Sequence, residues 1–387
     1  VLCNTESTDA VVFTTDNTVG TTTYAWTNNN ISIGLAATGT GNIPSFTATA
    51  GTTSQTATIV VTPTFTYNGE GCTGPTETFT ITVNPTAEVN EIASQVLCNT
   101  ESTDAVVFTT DNTDGTTTYS WTNDNTATGL AESSGTGNIP SFTATATTSP
   151  EVSNIVVTPL YTNNGIECTG PTETFTITVN PTAQVDQPGN YEYCNGDTAT
   201  VDFTTSNGGV DSVTTYTWTV SGDDIGLDAS IPEDISQQVT NETTDTLTAT
   251  VAVTPTYTNA GEICTGPSKT FTITVNPTAQ VNDIDPIVEC NGSFVDEVIF
   301  TTANTNGTTL YNWENSNTSI GLAATGTGNI SSFQAINTTN DPVVATITVT
   351  PSYDVTDPLL ACEGEETTFT ITVNPTAQVD QPDNYEY

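Results

Sequence analysis

The chain of 387 residues carries 44 Asp and Glu, a single basic residue (Lys269), no His and no Met, for a formal net charge of −43. That balance excludes nucleic acid as a partner, because phosphate binding needs Lys and Arg, and it excludes docking on an anionic membrane surface for the same reason. No apolar run approaches the roughly 20 residues of a spanning helix, so no membrane insertion is expected of this region, and the wealth of Thr, Val, Ile, Tyr and Trp separates it from an acidic disordered tail.

In chain order, the first strand signal is Tyr24-x-Trp26, which puts both rings on one face and predicts that the indole fills a core. The alternative for the indole is an aromatic platform for a sugar ring. Ile59 and Val61 then alternate with Thr before Pro63, and Phe79, Ile81 and Val83 alternate with Thr78, Thr80 and Thr82. This is the period of a half-buried strand with Thr towards water. Asn84-Pro85 ends it, because Pro cannot donate to a ladder. Turn clusters such as "DNTVG" at 16–20 lie between the strands.

The same order then returns three times. Trp26, Trp121, Trp218 and Trp313 are 95, 97 and 95 residues apart, and Val-Thr-Pro recurs at Val61, Val157, Val253 and Val349 with a constant period of 96. Units of this length match a β-sandwich domain of about 100 residues rather than a solenoid repeat. The fold class expected is all-β, with two-sheet sandwiches in tandem over residues 1–85, 86–181, 182–277 and 278–375. Residues 376–387 begin a further repeat or a linker.

Two cysteines fall in each unit, 69, 70, 70 and 72 residues apart, and 26 residues separate the second of one unit from the first of the next. An even count at regular spacing predicts disulfides and an oxidising compartment. Close Cys pairs and His are both absent, which excludes zinc. One bridge inside each domain is expected: Cys3–Cys72, Cys98–Cys168, Cys194–Cys264 and Cys290–Cys362. Closing a loop of about 70 residues is worth about 4 kcal/mol by chain entropy. The alternative is a bridge across the linker that clips neighbouring domains, against which stand the strand and the Asn-Pro in between. The sequence stops at "QPDNYEY" where the third unit has "QPGNYEYC", so a cysteine is expected to come next and the chain reads as a window of a longer array.

Without His, neither a Ser-His-Asp nor a Cys-His arrangement is available, and no carboxylate pair is framed by a cleft-forming motif, so no enzyme is expected. No cofactor is required. Calcium is the one candidate, at "DNTDG" (Asp111, Asp114) and "GDDIGLD" (Asp223, Asp224, Asp228), since hard cations take several carboxylate oxygens. Asp16 and Asp111 become Ser206 and Ala303 in later units, so any such site belongs to one unit.

The motifs "CNG" (194–196, 290–292), Tyr-x-Trp, "VTPTYTN" (253–259), "CTGP" (72–75, 168–171, 264–267) and "TFTITVNPTA" resemble the PKD-like and Ig-like repeats of giant secreted surface proteins of the Bacteroidota, including gliding-motility adhesins of the SprB type. The fourth unit departs, with "CEGEE" for "CTGP" and "DVTDPLLA" at 354–361 for the Asn-Gly turn, where a differently shaped loop is expected. The resemblance implies Ig-like or PKD-like sandwiches arranged as an extended beads-on-a-string rod. It also implies export by type IX secretion to the cell surface, and a stalk or filament holding a binding tip for attachment or gliding. The tip's ligand would be an unidentified surface or polysaccharide. O-glycans on Asp-Ser/Thr-apolar triplets would fall on Thr198, Ser212 and Thr246.

Two classes of function follow. As a stalk, four domains end to end would reach roughly 130–160 Å, with neighbouring repeats of the same chain as the partners. As a discrete subunit, the chain would polymerise with identical filament subunits by donating 376–387 as a strand. The cysteine expected after Tyr387 favours the stalk, because it implies ordinary continuation of the chain. A calcium- or glycan-binding adhesive module is the third reading.

Overall fold

In the computed structural model, residues 1–354 and 362–382 are described. The fourth-repeat turn expected to differ, and the last residues of the expected donor strand, lie outside them.

The first repeat shows how each unit is built. Its strands are β1 (Leu2–Cys3), β2 (Thr21–Asn28), β3 (Thr38–Thr40), β4 (Gln55–Tyr67), β5 (Glu70–Thr73) and β6 (Glu77–Asn84). They form one sheet in the order β1-β6-β4-β2-β3, with β5 pairing the far half of β4. The β1–β6 pair is parallel (Leu2↔Val83), and the others are antiparallel. A thinner second layer, held together by the isolated bridges Ser7↔Thr47 and Val11↔Ile43, faces this sheet. In the third and fourth repeats the same layer has a ladder, Thr198–Val201 with Ile235–Gln238 and Phe294–Val295 with Phe333–Gln334. Each sheet draws its strands from a single 96-residue period, and the chain is all-β with tandem Ig-like sandwiches.

The alternation explains the core. Ala57, Ile59 and Val61 of β4 turn inwards and pack with Trp26, Ile43 and Val83. Burying a side chain the size of Ile59 or Val61 stabilises by about 1.5–3 kcal/mol. The Thr residues between them turn out and pair across strands, as Thr56 Oγ1 does with Thr82 Oγ1 at 3.0 Å. All four indoles are core: Trp26, Trp121, Trp218 and Trp313 are 3–7% exposed, which removes the sugar-platform reading. Against three of them lies a glycine of the short neighbouring strand (Gly39, Gly135, Gly326), where a Cβ would collide with the indole ring.

By contacts the chain groups into two compact units. One holds Val1–Thr182 with Asn207–Val213 and Tyr257–Cys264; the other holds Ala183–Ser206, Thr214–Thr256 and Thr265–Tyr387. The division runs through the third repeat, whose tip belongs with the second.

Candidate functional site

The joints between repeats are where the recurring polar and cysteine motifs converge. A "Cys-Asn" corner starts each repeat. The Cys3 N–H donates to Glu6 Oε2 at 2.8 Å, and Cys98 and Cys194 are capped likewise by Glu101 and Asp197. The next residue ties this corner to the repeat's own exit linker: Asn4, Asn99, Asn195 and Asn291 donate to the hydroxyls of Thr86, Thr182, Thr278 and Thr376 at 2.8–3.1 Å. The corner and "Asn-Pro-Thr-Ala" therefore form one platform at the end of the sheet.

The second cysteine lies at the other end. Cys3 aligns with Asn84, one step beyond the Gln55↔Val83 pair at the start of β4, whereas Cys72 faces Phe65 near the end of β4. The span from Gln55 to Phe65 is about 33 Å at 3.3 Å per residue, far beyond the Cα separation of about 4.4–6.8 Å that a disulfide accepts. The expected intra-domain bridges Cys3–Cys72, Cys98–Cys168, Cys194–Cys264 and Cys290–Cys362 are thus not formed. A bridge across the 26-residue linker is not formed either.

Instead, the first cysteine of one repeat bonds the second cysteine of the next. The bridges are Cys3–Cys168, Cys98–Cys264 and Cys194–Cys362, with Cα separations of 5.6, 5.5 and 5.3 Å. Cys72 and Cys290 are free and exposed.

Around each bridge the exit platform of one repeat meets the hairpin tip of the next. In the first compact unit, Asn84 Nδ2 donates to Asn163 O at 3.2 Å, and Asn163 Nδ2 donates to Ser54 Oγ at 2.7 Å. The Tyr161 hydroxyl donates to Thr113 O at 2.9 Å and lies 3.3 Å from Ser54 Oγ. In the same unit Asn180 and Asn259 pair reciprocally, Asn180 Nδ2 to Asn259 O at 3.0 Å and Asn259 Nδ2 to Asn180 Oδ1 at 2.8 Å. In the second unit, the Tyr353 hydroxyl meets Thr246 Oγ1 at 3.1 Å, while Asn276 turns to Glu192 Oε1 at 2.7 Å.

An alanine of the linker is pressed on a glycine of the receiving repeat. A Cβ on Gly170, Gly266 or Gly364 would strike the carbonyl of Ala87, Ala183 or Ala279. These glycines belong to "CTGP" and "CEGE", so the fourth-repeat departure spares the contact. Of the motifs quoted above as marks of repeat type, the Cys-Asn corner, the "NPTA" end of the last strand, the Gly of "CTGP" and the Asn that ends "VTPTYTN" are joint residues, a role that alternation and composition do not disclose.

The calcium candidates are not brought together. Asp111 Oδ1 accepts from Asn90 Nδ2 at 3.4 Å, and Asp114 holds a turn at φ 66°. Asp223 Oδ2 accepts from the Thr248 N–H at 2.8 Å, Asp224 Oδ1 from the Gly226 N–H at 3.1 Å, and Asp228 Oδ1 from the Ser230 N–H at 2.9 Å. Asp223, Asp224 and Asp228 each cap a different piece of backbone, and the bonds from Ser230 hold the Asp228 carboxyl below its ordinary range. Among the described residues no three His, Cys, Asp or Glu side chains gather to hold a metal.

Of the glycan candidates, Thr198 is exposed on its strand. The Ser212 hydroxyl donates to Gly209 O at 3.1 Å, and Thr246 is occupied in the joint with Tyr353. No helix among the described residues is long and apolar enough to cross a membrane.

No family profile matches the sequence, and no curated protein matches it. Solved structures with similar architecture include the human desmocollin-1 ectodomain (10% identity over 96% of this chain and 77% of that one, TM-score 0.28). The Drosophila N-cadherin EC1-4 structure shares 12% identity over 94% of both chains, TM-score 0.28, and Sidekick-1 immunoglobulin domains 1-4 shares 8% over 97% and 96%, TM-score 0.25. Likeness at this level says nothing of what the chain binds.

Proposed function

We propose that this chain is a tension-bearing spacer of a large extracellular surface protein, a stretch of stalk whose repeats are covalently clamped each to the next. The stagger of the three disulfides carries this reading. From Cys3 the covalent path crosses to Cys168, follows 26 residues to Cys194, and crosses again to Cys362. A fully taut path of that length is about 90 Å plus two bridges, against about 1,250 Å for the 359 residues of backbone from Cys3 to Cys362. Tension along the array therefore has almost no hidden length to release, even if the sandwiches open.

Several features support the placement outside the cell. Disulfides persist in oxidising compartments, and a surface of charge −43 suits salty, open water. The motif resemblance to Bacteroidota surface repeats favours a cell-surface adhesin, with gliding or attachment as the task of the parent protein. The test is single-molecule stretching from the two ends. The oxidised chain should lengthen by less than about 200 Å, and the reduced chain by more than about 1,000 Å in separate unfolding steps. Equal lengthening in both states would overturn the spacer reading.

A further inference from the structure

The step Asn-Gly occurs six times, at Asn68, Asn164, Asn195, Asn207, Asn291 and Asn306. It is a chemical weak point, because the glycine nitrogen can approach the neighbouring side-chain amide with no Cβ in the way. Whether it reacts in a folded chain depends on what holds the amide and that nitrogen.

Three of the steps are tied at both. Asn195 Oδ1 accepts from the Asn241 N–H at 2.7 Å, its Nδ2 donates to Thr278 Oγ1, and the Gly196 N–H donates to Val239 O at 2.9 Å. Asn291 repeats the arrangement with Asn337 and Thr376, and the Gly292 N–H donates to Ala335 O. Asn207 Nδ2 donates to Thr182 O at 3.1 Å, and the Gly208 N–H to Thr148 O at 2.8 Å. After Asn306, Gly307 is pressed on the Tyr353 ring.

The hairpin tip of the second repeat differs. Asn164 and Gly165 form the two-residue loop between Glu151–Asn163 and Ile166–Thr169, closed by the pair Asn163↔Ile166, with φ of 51° and 74°. Such a turn needs positive φ at both central residues, which Asn and Gly tolerate. Both stay exposed although the joint beside them is formed, and a Cβ on Gly165 would meet open space. Neither the Asn164 amide nor the Gly165 N–H finds a hydrogen-bond partner among the described residues. Asn68-Gly69 makes the same turn at 51° and 84°, and the third repeat makes it with Ala260-Gly261 at 51° and 82°, which keeps the shape and has no amide to lose.

We propose that Asn164 is a site of spontaneous deamidation, and that its conversion loosens the joint between the first and second repeats. The Gly165 main-chain nitrogen attacks Asn164 Cγ, the new N–Cγ bond closes a succinimide ring, and the Cγ–Nδ2 bond breaks. The proton from the Gly165 nitrogen leaves with Nδ2 as ammonia. Water then opens the ring at one of its two carbonyls, leaving either an aspartate or a β-aspartyl link, and the new carboxyl gives its proton to the ammonia. The β-aspartyl link lengthens the main chain by one methylene inside a two-residue turn, so the two strands no longer meet in register. Asn163, the residue just before, carries the joint: its carbonyl accepts from Asn84 and its amide donates to Ser54. The Cys3–Cys168 bridge keeps the two repeats together when that clasp weakens. The joint between the second and third repeats is spared, because Ala260 stands in the place of Asn164.

The test ages the full chain, bridges intact, at mildly alkaline pH in water enriched in heavy oxygen, with peptide mapping by mass spectrometry at intervals. A reduced, urea-unfolded chain is the reference, in which all six steps should convert alike. In the folded chain Asn164 and Asn68 should lose ammonia and gain solvent oxygen. Asn195, Asn207 and Asn291 should be slower by roughly tenfold or more, because each step must first give up two or more hydrogen bonds. Hydrogen exchange over 160–168 should quicken in the aged chain and stay slow in aged Asn164→Ala, which copies the third repeat. Conversion of Asn195 or Asn291 as fast as Asn164 would overturn the assignment, and so would an intact Asn164 under conditions that convert the unfolded reference. Unchanged exchange over 160–168 in a converted chain would overturn the loosening.

Discussion

The carbonyl of Ala87 lies so close over Gly170 that any side chain at position 170 would occupy the carbonyl's place. The contact recurs with Ala183 over Gly266 and Ala279 over Gly364, and each is next to a bridging cysteine. A joint held this tightly is specified by backbone, so its glycine is the residue to perturb. Gly170→Val should cost about 1–3 kcal/mol as overpacking. Hydrogen exchange should show protection lost over 86–92, with the strands of both repeats unaffected. Unchanged protection of that segment would contradict the contact.

Inside the sandwich the matching test is Gly135→Ala. The added methyl would collide with the Trp121 indole, whose Nε1 donates to Gly137 O at 3.1 Å. Loss of stability by about 1–3 kcal/mol is expected, read in urea unfolding together with a shift in the near-ultraviolet signal of the tryptophans.

The strands, the 96-residue period and the buried tryptophan were legible in the sequence because alternation of apolar residues with Thr states which face is inside. The cysteine partners were not. Whether Cys3 can reach Cys72 depends on register: Cys3 pairs with Asn84 of β6, level with the start of the 13-residue strand Gln55–Tyr67, while Cys72 pairs with Phe65 near its end, and register leaves no mark in spacing. The separations of 165, 166 and 168 between true partners are no more regular than the 69–72 within a unit. The acidic turns misled for a related reason. Asp beside Gly satisfies local backbone donors as readily as it binds a cation, and the choice depends on which oxygens converge.

Two sets of groups make stability depend on pH, at opposite ends of the range. Burial raises the hydroxyl pKa of Tyr119, Tyr193, Tyr216 and Tyr311. Because the folded state holds these protons longer, the stability they add is full below the ordinary tyrosine pKa of about 10 and is lost as pH rises through the raised folded values. Hydrogen bonds from Asn154 and Ser230 lower the pKa of Asp124 and Asp228. Their contribution is present above about 3.9 and is lost as pH falls through the lowered values. Asp124→Asn should flatten the acid limb of a melting-temperature profile and leave the alkaline limb in place.

Salt should stabilise. With 44 acidic residues and one Lys, the surface is self-repelling, and shortening the Debye length from about 30 Å at 0.01 M to about 3 Å at 1 M removes most of that repulsion. The melting temperature is expected to rise monotonically with sodium chloride. A chain balanced by ion pairs would show the opposite trend at low salt.

The central claim is the stagger of the bridges, and non-reducing peptide mapping tests it most directly. Free thiols are blocked, the chain is cut at acidic residues, and the crosslinked peptides are sequenced by mass spectrometry. The account predicts Cys3 with Cys168, Cys98 with Cys264 and Cys194 with Cys362, and label on Cys72 and Cys290 of the lone chain. Recovery of Cys98 joined to Cys168, or of any other pair from a single repeat, would contradict it.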